Sequence, residues 1–186
     1  APSLLGRVKK KRASSSISFA PSLQEFKTGG KGPSPRYAHS ANVLATNLII
    51  VFGGFDSHTL YNDMYILDLT TRVWSKVEPL SDVLPPPRYA HSASLVGRQL
   101  LVFGGCGAES QALGDCWVFD LETLHWIQPQ LQGVPPEPRS YHTASLIGDK
   151  ASRVTIVLLL LLPHLFFFSR FSSLAAKGQS SGILTW

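Results

Sequence analysis

Two stretches of this chain are nearly the same stretch. Pro35-Arg36-Tyr37-Ala38-His39-Ser40 returns as Pro87-Arg88-Tyr89-Ala90-His91-Ser92, and each is followed by an apolar run ending in Val-Phe-Gly-Gly, at Val51–Gly54 and Val102–Gly105. A third start stands at Pro138-Arg139-Ser140-Tyr141-His142 and stays in pattern to Gly148-Asp149-Lys150. Arg36 to Arg88 is 52 residues and Arg88 to Arg139 is 51, with His39, His91 and His142 in the same phase. A period of this size makes each repeat one supersecondary unit that buries its apolar surface against its neighbours. The first glycine of each pair moves by 51, from Gly53 to Gly104, while Asp68 to Asp120 and Trp74 to Trp126 move by 52. The one-residue differences place the insertions in loops, where they are tolerated.

Each repeat divides into four short apolar segments separated by turn chemistry. In the first these are His39–Leu44, Leu48–Phe52, Met64–Leu69 and Val73–Val77; in the second, His91–Leu95, Leu100–Phe103, Cys116–Leu121 and Leu124–Gln128. Val, Ile, Leu, Phe, Tyr and Trp dominate them, and no 3.6-residue period fits, so each repeat is expected to be a four-stranded meander. The period matches one blade of a β-propeller.

The residues in these segments resemble the kelch motif over roughly residues 35–150. The resemblance is carried by the double glycine after an apolar strand, by Tyr65 and Asp68 or Trp117 and Asp120 in the third strand, and by Trp74 or Trp126 six residues after that Asp. It implies an all-β fold: an incomplete kelch-type propeller of two full blades, 35–86 and 87–137, and the start of a third at 138–150. A basic leader of low complexity, 1–34, precedes them, and an apolar non-repeat tail, 151–186, follows. The leader is expected to be disordered, with Ile17–Phe19 and Leu23–Phe26 as candidates for the worn last strand of a preceding blade.

Most repeat markers have a structural reason to recur. Gly53, Gly54, Gly104 and Gly105 fit places where the backbone turns sharply against a neighbour. Trp74 and Trp126 offer enough apolar surface to pack one blade on the next, with Tyr65 and Trp117 as further aromatic markers. Arg36, Arg88 and Arg139, beside proline between blades, can each hold several backbone carbonyls. Equivalent histidines on successive blades are spread around a ring, so they are read as scaffold rather than as metal ligands.

Composition narrows function further. At 186 residues, with 44% hydrophobic and 16% charged residues, the chain is globular in class. The net charge of +5 comes largely from Arg7, Lys9, Lys10, Lys11 and Arg12, so the repeats offer no nucleic-acid-binding face. Cys106 and Cys116 are the two cysteines and no Asn-x-Ser/Thr site occurs, which favours an intracellular setting, cytoplasmic or, given the basic run, nuclear. No nucleophile elbow, phosphate loop or zinc-protease helix is present, so no catalytic residue, cofactor or metal is expected. The single acids Asp56, Asp63, Glu78, Asp82, Glu109 and Asp115 read as solvated loop charges.

Function is therefore expected in the loops that differ between repeats. Phe55, Asp56, Ser57, His58 and Tyr61 in the first, and Glu109, Ser110 and Gln111 in the second, occupy the same slot between the second and third strands. Variable loops on a rigid scaffold are where binding residues are placed. The leading expectation is a non-catalytic protein-protein interaction module of adaptor or scaffold type, with a protein partner. Two alternatives stand beside it: the accessory propeller of a larger enzyme such as a phosphatase, methyltransferase or oxidase, and a short membrane-anchored kelch protein. The anchor would be Val154–Phe168, fifteen residues interrupted by Pro163 and His164, against about 20 for a spanning helix. The chain starts at Ala1 and loses its pattern after Lys150, which reads as a fragment or truncated isoform with an aberrant tail.

Overall fold

The computed structural model describes residues 25–131, 134–147, 155–160 and 182–185. The first sheet is the first repeat: β1 (Gly29–Gly30), β2 (Ser40–Ala45), β3 (Leu48–Phe55), β4 (Leu60–Asp68) and β5 (Val73–Val77), in the order β1-β5-β4-β3-β2. The second repeat forms β6 (Ser92–Val96), β7 (Gln99–Cys106), β8 (Ala112–Asp120) and β9 (His125–Ile127), paired in sequence order. A third sheet joins β10 (His142–Ile147), β11 (Thr155–Leu160) and β12 (Gly182–Thr185). All neighbours are antiparallel except β1 and β5, and β2, β6 and β10 lie side by side. This is the incomplete propeller that the repeat implies.

The apolar middle segments are central strands buried on both faces. Leu100 and Val102 point from β7 into a cluster with Ile50, Phe52 and Met64 of the first blade and Trp117, Phe119 and Trp126 of the second. Leu101 and Phe103 point the other way, into a cluster with Cys116 and Val118 that Ala144 of β10 packs against. A run of four apolar residues without alternation is what two buried faces require. Each such side chain contributes about 1.5–3 kcal/mol by leaving water. On the first blade, β2 instead alternates, with Val43 exposed.

Three features depart from the sequence reading. The double glycines do not end their strands: β3 and β7 continue to Phe55 and Cys106, with register shifts between Phe52 and Gly54 and between Phe103 and Gly105. These are β-bulges, in which positive φ lets the strand kink and continue. The leader also joins the fold, since Gly29 and Gly30 pair with Val73 and Trp74, and a Cβ on Gly32 would stand 2.9 Å from the Trp74 ring. The segment before the second blade behaves alike: Leu80 N donates to Leu124 O at 2.8 Å and Trp126 N to Ser81 Oγ at 3.0 Å. Lastly, β11 and β12 extend the third sheet past residue 150.

Candidate docking face between the blades

The bulges aim both variable loops at one end of the blades. Beyond Gly54, Tyr37 and Phe55 form an isolated bridge, and Tyr89 and Cys106 repeat it in the second blade. These bridges fix the roots of the loops 56–59 and 107–111, so the loops are shorter than the variable sequence, because Phe55, Tyr61, Ala112 and Leu113 already belong to strands.

Asp56 shapes the first loop. Its Oδ1 accepts the His58 and Thr59 amides at 3.1 and 2.8 Å, and its Oδ2 accepts the Tyr61 hydroxyl at 2.5 Å. The Tyr61 bond first, then the two amides, hold the carboxyl down at about 2. Sequence reading made Asp56 a solvated charge; the structure makes it the organiser of its own turn. Tyr61 in turn accepts from Ser34 Oγ at 3.0 Å and lies under Arg36, whose Cζ is 3.7 Å from the ring centroid. Ser57 takes a φ of 82°, with its side chain outward.

In the second loop Ala108–Ser110 make a single 3-10 turn, with Glu109 and Ser110 at φ 53° and 60°. Gly107 N donates to Gln111 O at 2.8 Å, Gln111 N to Ala108 O at 3.0 Å, and Cys106 Sγ to Ser110 O at 3.4 Å. Glu109, Ser110 and Gln111 are all exposed.

The two loops meet across the blade boundary. A hollow of about 240 Å³ lies between them, lined by Phe55, His58, Leu60, Tyr89, Gly107, Glu109 and Ser110. The Phe55 and Tyr89 rings stack there at 5.3 Å, Tyr37 meets Phe55 edge-on at 5.5 Å, and Tyr141 meets Tyr89 edge-on at 6.1 Å. A row of four aromatic rings thus runs across three blades. Tyr37, Tyr89 and Tyr141 were not among the sequence candidates, although tyrosine follows the repeat arginine twice and shifts by one place in the third start. A hydrogen bond with the Cys106 thiol, and then burial, push the Tyr89 hydroxyl up to about 12.

Under this face lies the scaffold. Arg88 is fully buried; its Nε donates to Pro86 O and its Nη1 to Gly104 O, at 3.1 and 3.0 Å, as the sequence suggested. Its two terminal nitrogens also donate to the two oxygens of Asp115, each at 2.8 Å. Arg36 repeats this with Ser34 O, Gly53 O and Asp63. Asp63 and Asp115 are therefore strand residues in bidentate ion pairs rather than solvated loop acids, a correction that the equal separation of 27 residues in both pairs could have signalled. Burial alone would raise the Asp115 carboxyl, but Arg88, aided by the Trp117 Nε1 donor at 2.7 Å, keeps it below its usual range. Arg139, also buried, sends its Nε to Glu137 O at 3.0 Å.

The tryptophans divide. Trp126 is buried and its ring sits 5.1 Å from both Phe52 of the first blade and Phe119 of its own. Trp74 is half-buried and carries the leader glycine. Tyr65 and Trp117 are buried beside the ion pairs, Tyr65 with Arg36 at 5.8 Å from its ring. Among the described residues no cluster of three or more His, Cys, Asp or Glu could hold a metal, and no helix is long and apolar enough to cross a membrane. Of the suggested anchor, Thr155–Leu160 forms β11, and the remainder lies outside the described residues.

Comparison with known proteins agrees with this architecture. Residues 19–155 match the family described as the KLHDC2/KLHL20/DRC7 Kelch-repeats domain. The chain is 40% identical over 126 residues to acyl-CoA-binding domain-containing protein 4 of Arabidopsis thaliana, covering 67% of this chain and 18% of that protein. It is 36% identical over 139 residues to host cell factor 1 of Homo sapiens, covering 65% of this chain and 7% of the other. To the human Rab9 effector protein with kelch motifs it is 36% identical over 124 residues, 64% of this chain and 33% of that one. The chain thus spans a third or less of these relatives. Blades, bulged glycines and matched segment together place it in the kelch-repeat family.

Proposed function

We propose that this chain is a non-catalytic protein-interaction module of adaptor or scaffold type, and that its partner docks on the loop face at Phe55, Asp56, Ser57, His58, Tyr61, Glu109, Ser110 and Gln111. One observation carries the reading. Two loops from different blades, both braced by internal hydrogen bonds, enclose one hollow whose walls neither loop supplies alone. A surface braced before binding loses little entropy when a partner arrives. The two free, buried cysteines support a reducing compartment, cytoplasmic or nuclear.

A photo-crosslinking residue placed at His58 or Gln111, compared with one at Arg98 at the opposite end of the strands, tests the docking face in cells. Adducts are expected from the first two positions and not from Arg98. The reverse pattern would defeat the reading.

A second reading has one observation in its favour. Because this chain matches a third or less of each relative's length, its blades are also suited to act as the accessory part of a larger protein whose activity lies elsewhere. Tethering that activity to a partner would use the same face.

A further inference from the structure

We propose that the hollow between the loops receives a cationic side chain, arginine or lysine, from the partner's docking segment, with Phe55 and Tyr89 supplying ring surface and Glu109 the counter-charge. This rests on the docking face proposed above and adds the chemistry of what enters it.

Size is the first constraint. At about 240 Å³ the hollow is smaller than the roughly 300–1,000 Å³ of small-molecule and cofactor sites, which suits one long side chain.

Charge is the second. Glu109 is the one carboxylate in the lining, no Lys or Arg lines it, and no cation among the described residues pairs with it. The arginines nearest in the repeat are committed elsewhere, Arg36 to Asp63 and Arg88 to Asp115. Arg139 is buried, with its Nε on Glu137 O. His58 is the remaining ionisable wall residue apart from Tyr89, and its amide donates to Asp56 Oδ1 at 3.1 Å, outside the lining. An incoming carboxylate would meet the charge of Glu109 with no Lys or Arg in the lining to offset it.

The third constraint is ring chemistry. Aromatic faces attract guanidinium and ammonium groups through their quadrupole, and arginine also stacks by its plane. The fold already uses this contact, with Arg36 over Tyr61 at 3.7 Å and Arg72 over Phe26 at 4.9 Å. Glu109 is held for the purpose by its left-handed turn and by the bonds across Gly107–Gln111.

The test uses the full chain and four capped pentapeptides, two glycines on either side of arginine, lysine, glutamine or glutamate, followed by NMR shift perturbation. The arginine and lysine peptides should move resonances of Phe55, Tyr89 and Glu109, and bind about three- to tenfold more tightly than the glutamine peptide. Glu109→Gln should remove most of that preference, and Glu109→Lys should shift it toward the glutamate peptide. Both changes lie on an exposed loop and leave the core intact. Equal binding of the glutamine or glutamate peptide at the same resonances would overturn the cationic assignment while leaving the docking face in place. Perturbation confined to the opposite end of the blades would overturn both. No perturbation by any peptide at millimolar concentration would overturn the cationic assignment, and the crosslinking experiment would then judge the face alone.

Discussion

His91 Nε2 lies 2.9 Å from Ser40 Oγ, across the boundary between the first and second blades. His142 Nε2 stands at the same 2.9 Å from Ser92 Oγ at the next boundary. Both imidazoles are buried, and neither Nδ1 has a partner among the described residues. The neutral ring with its proton on Nε2, donating to the serine, satisfies this geometry. Backbone bonds run beside it, Ala90 N to Ala38 O at 2.8 Å and Tyr141 N to Ala90 O at 2.9 Å. The repeat phase of the histidines thus records a bond made once per blade boundary. His39, in the same phase, is exposed.

A second proton on either ring would sit on Nδ1, where no acceptor waits. Burial, with Arg88 nearby, lowers His91 to about 3, and burial with Arg139 lowers His142 to about 4, from 6.5. Between those values and 6.5 the unfolded chain binds more protons than the folded one, so stability rises with pH through that window and falls as pH drops. Urea midpoints measured from pH 7 to 4 should therefore decline. His142→Gln should flatten part of the decline. The depressed carboxyls of Asp56, Asp68 and Asp120 act lower, below the usual aspartate value of 3.8, and add a separate loss there.

Asp115→Ala should be among the most damaging single changes. It leaves the fully buried Arg88 without its bidentate partner, a loss of about 3–5 kcal/mol for a broken buried pair. Against a typical domain stability of about 5–15 kcal/mol that is a large fraction. Asp115→Asn keeps one acceptor and should cost less. Thermal unfolding of the two variants against the parent checks the order, which fails if Asn and Ala are equal.

The repeat, the four-strand division and the scaffold role of the histidines were legible because each rests on spacing, and spacing survives without coordinates. The Arg88–Asp115 pair was not read, since its partners sit 27 residues apart and meet only when a strand returns beside the linker. Nor was the aromatic row, whose rings come from three blades and touch through the curvature between sheets. The two loops were read as equivalents in the repeat slot. That they share a hollow follows from the bulges at Gly53–Gly54 and Gly104–Gly105, which kink the strands toward each other's loops.

Two glycines with similar φ should respond very differently to alanine. Gly104 has φ +62° and a Cβ there would stand 2.7 Å from Arg139 O, whereas Gly97 has φ +58° and nothing within 4 Å. Gly97→Ala should cost about 1–2 kcal/mol, the left-handed penalty alone. Gly104→Ala adds a backbone clash at the Gly105 N to Arg139 O bond of 2.9 Å, and should cost clearly more. Chemical denaturation of both variants separates strain from collision.

Trp126 and Trp74 hold the same repeat position, yet they should not be equal in stability. Trp126 is 6% exposed and wedged between Phe52 and Phe119, so its truncation opens a cavity that spans the junction of two blades. Phe/Trp→Ala changes in such cores cost about 3–5 kcal/mol. Trp74 is half-buried against Gly32 of the leader, so Trp74→Ala should cost less and chiefly release the leader from β5. Hydrogen exchange distinguishes the two: Trp126→Ala should speed exchange at Phe52, Val102 and Phe119 together, while Trp74→Ala should speed it at Gly29, whose amide donates to Arg72 O at 2.7 Å. Equal loss of protection in both blades from Trp74→Ala would mean that the outer strand, and not the junction, is where the two blades are held together.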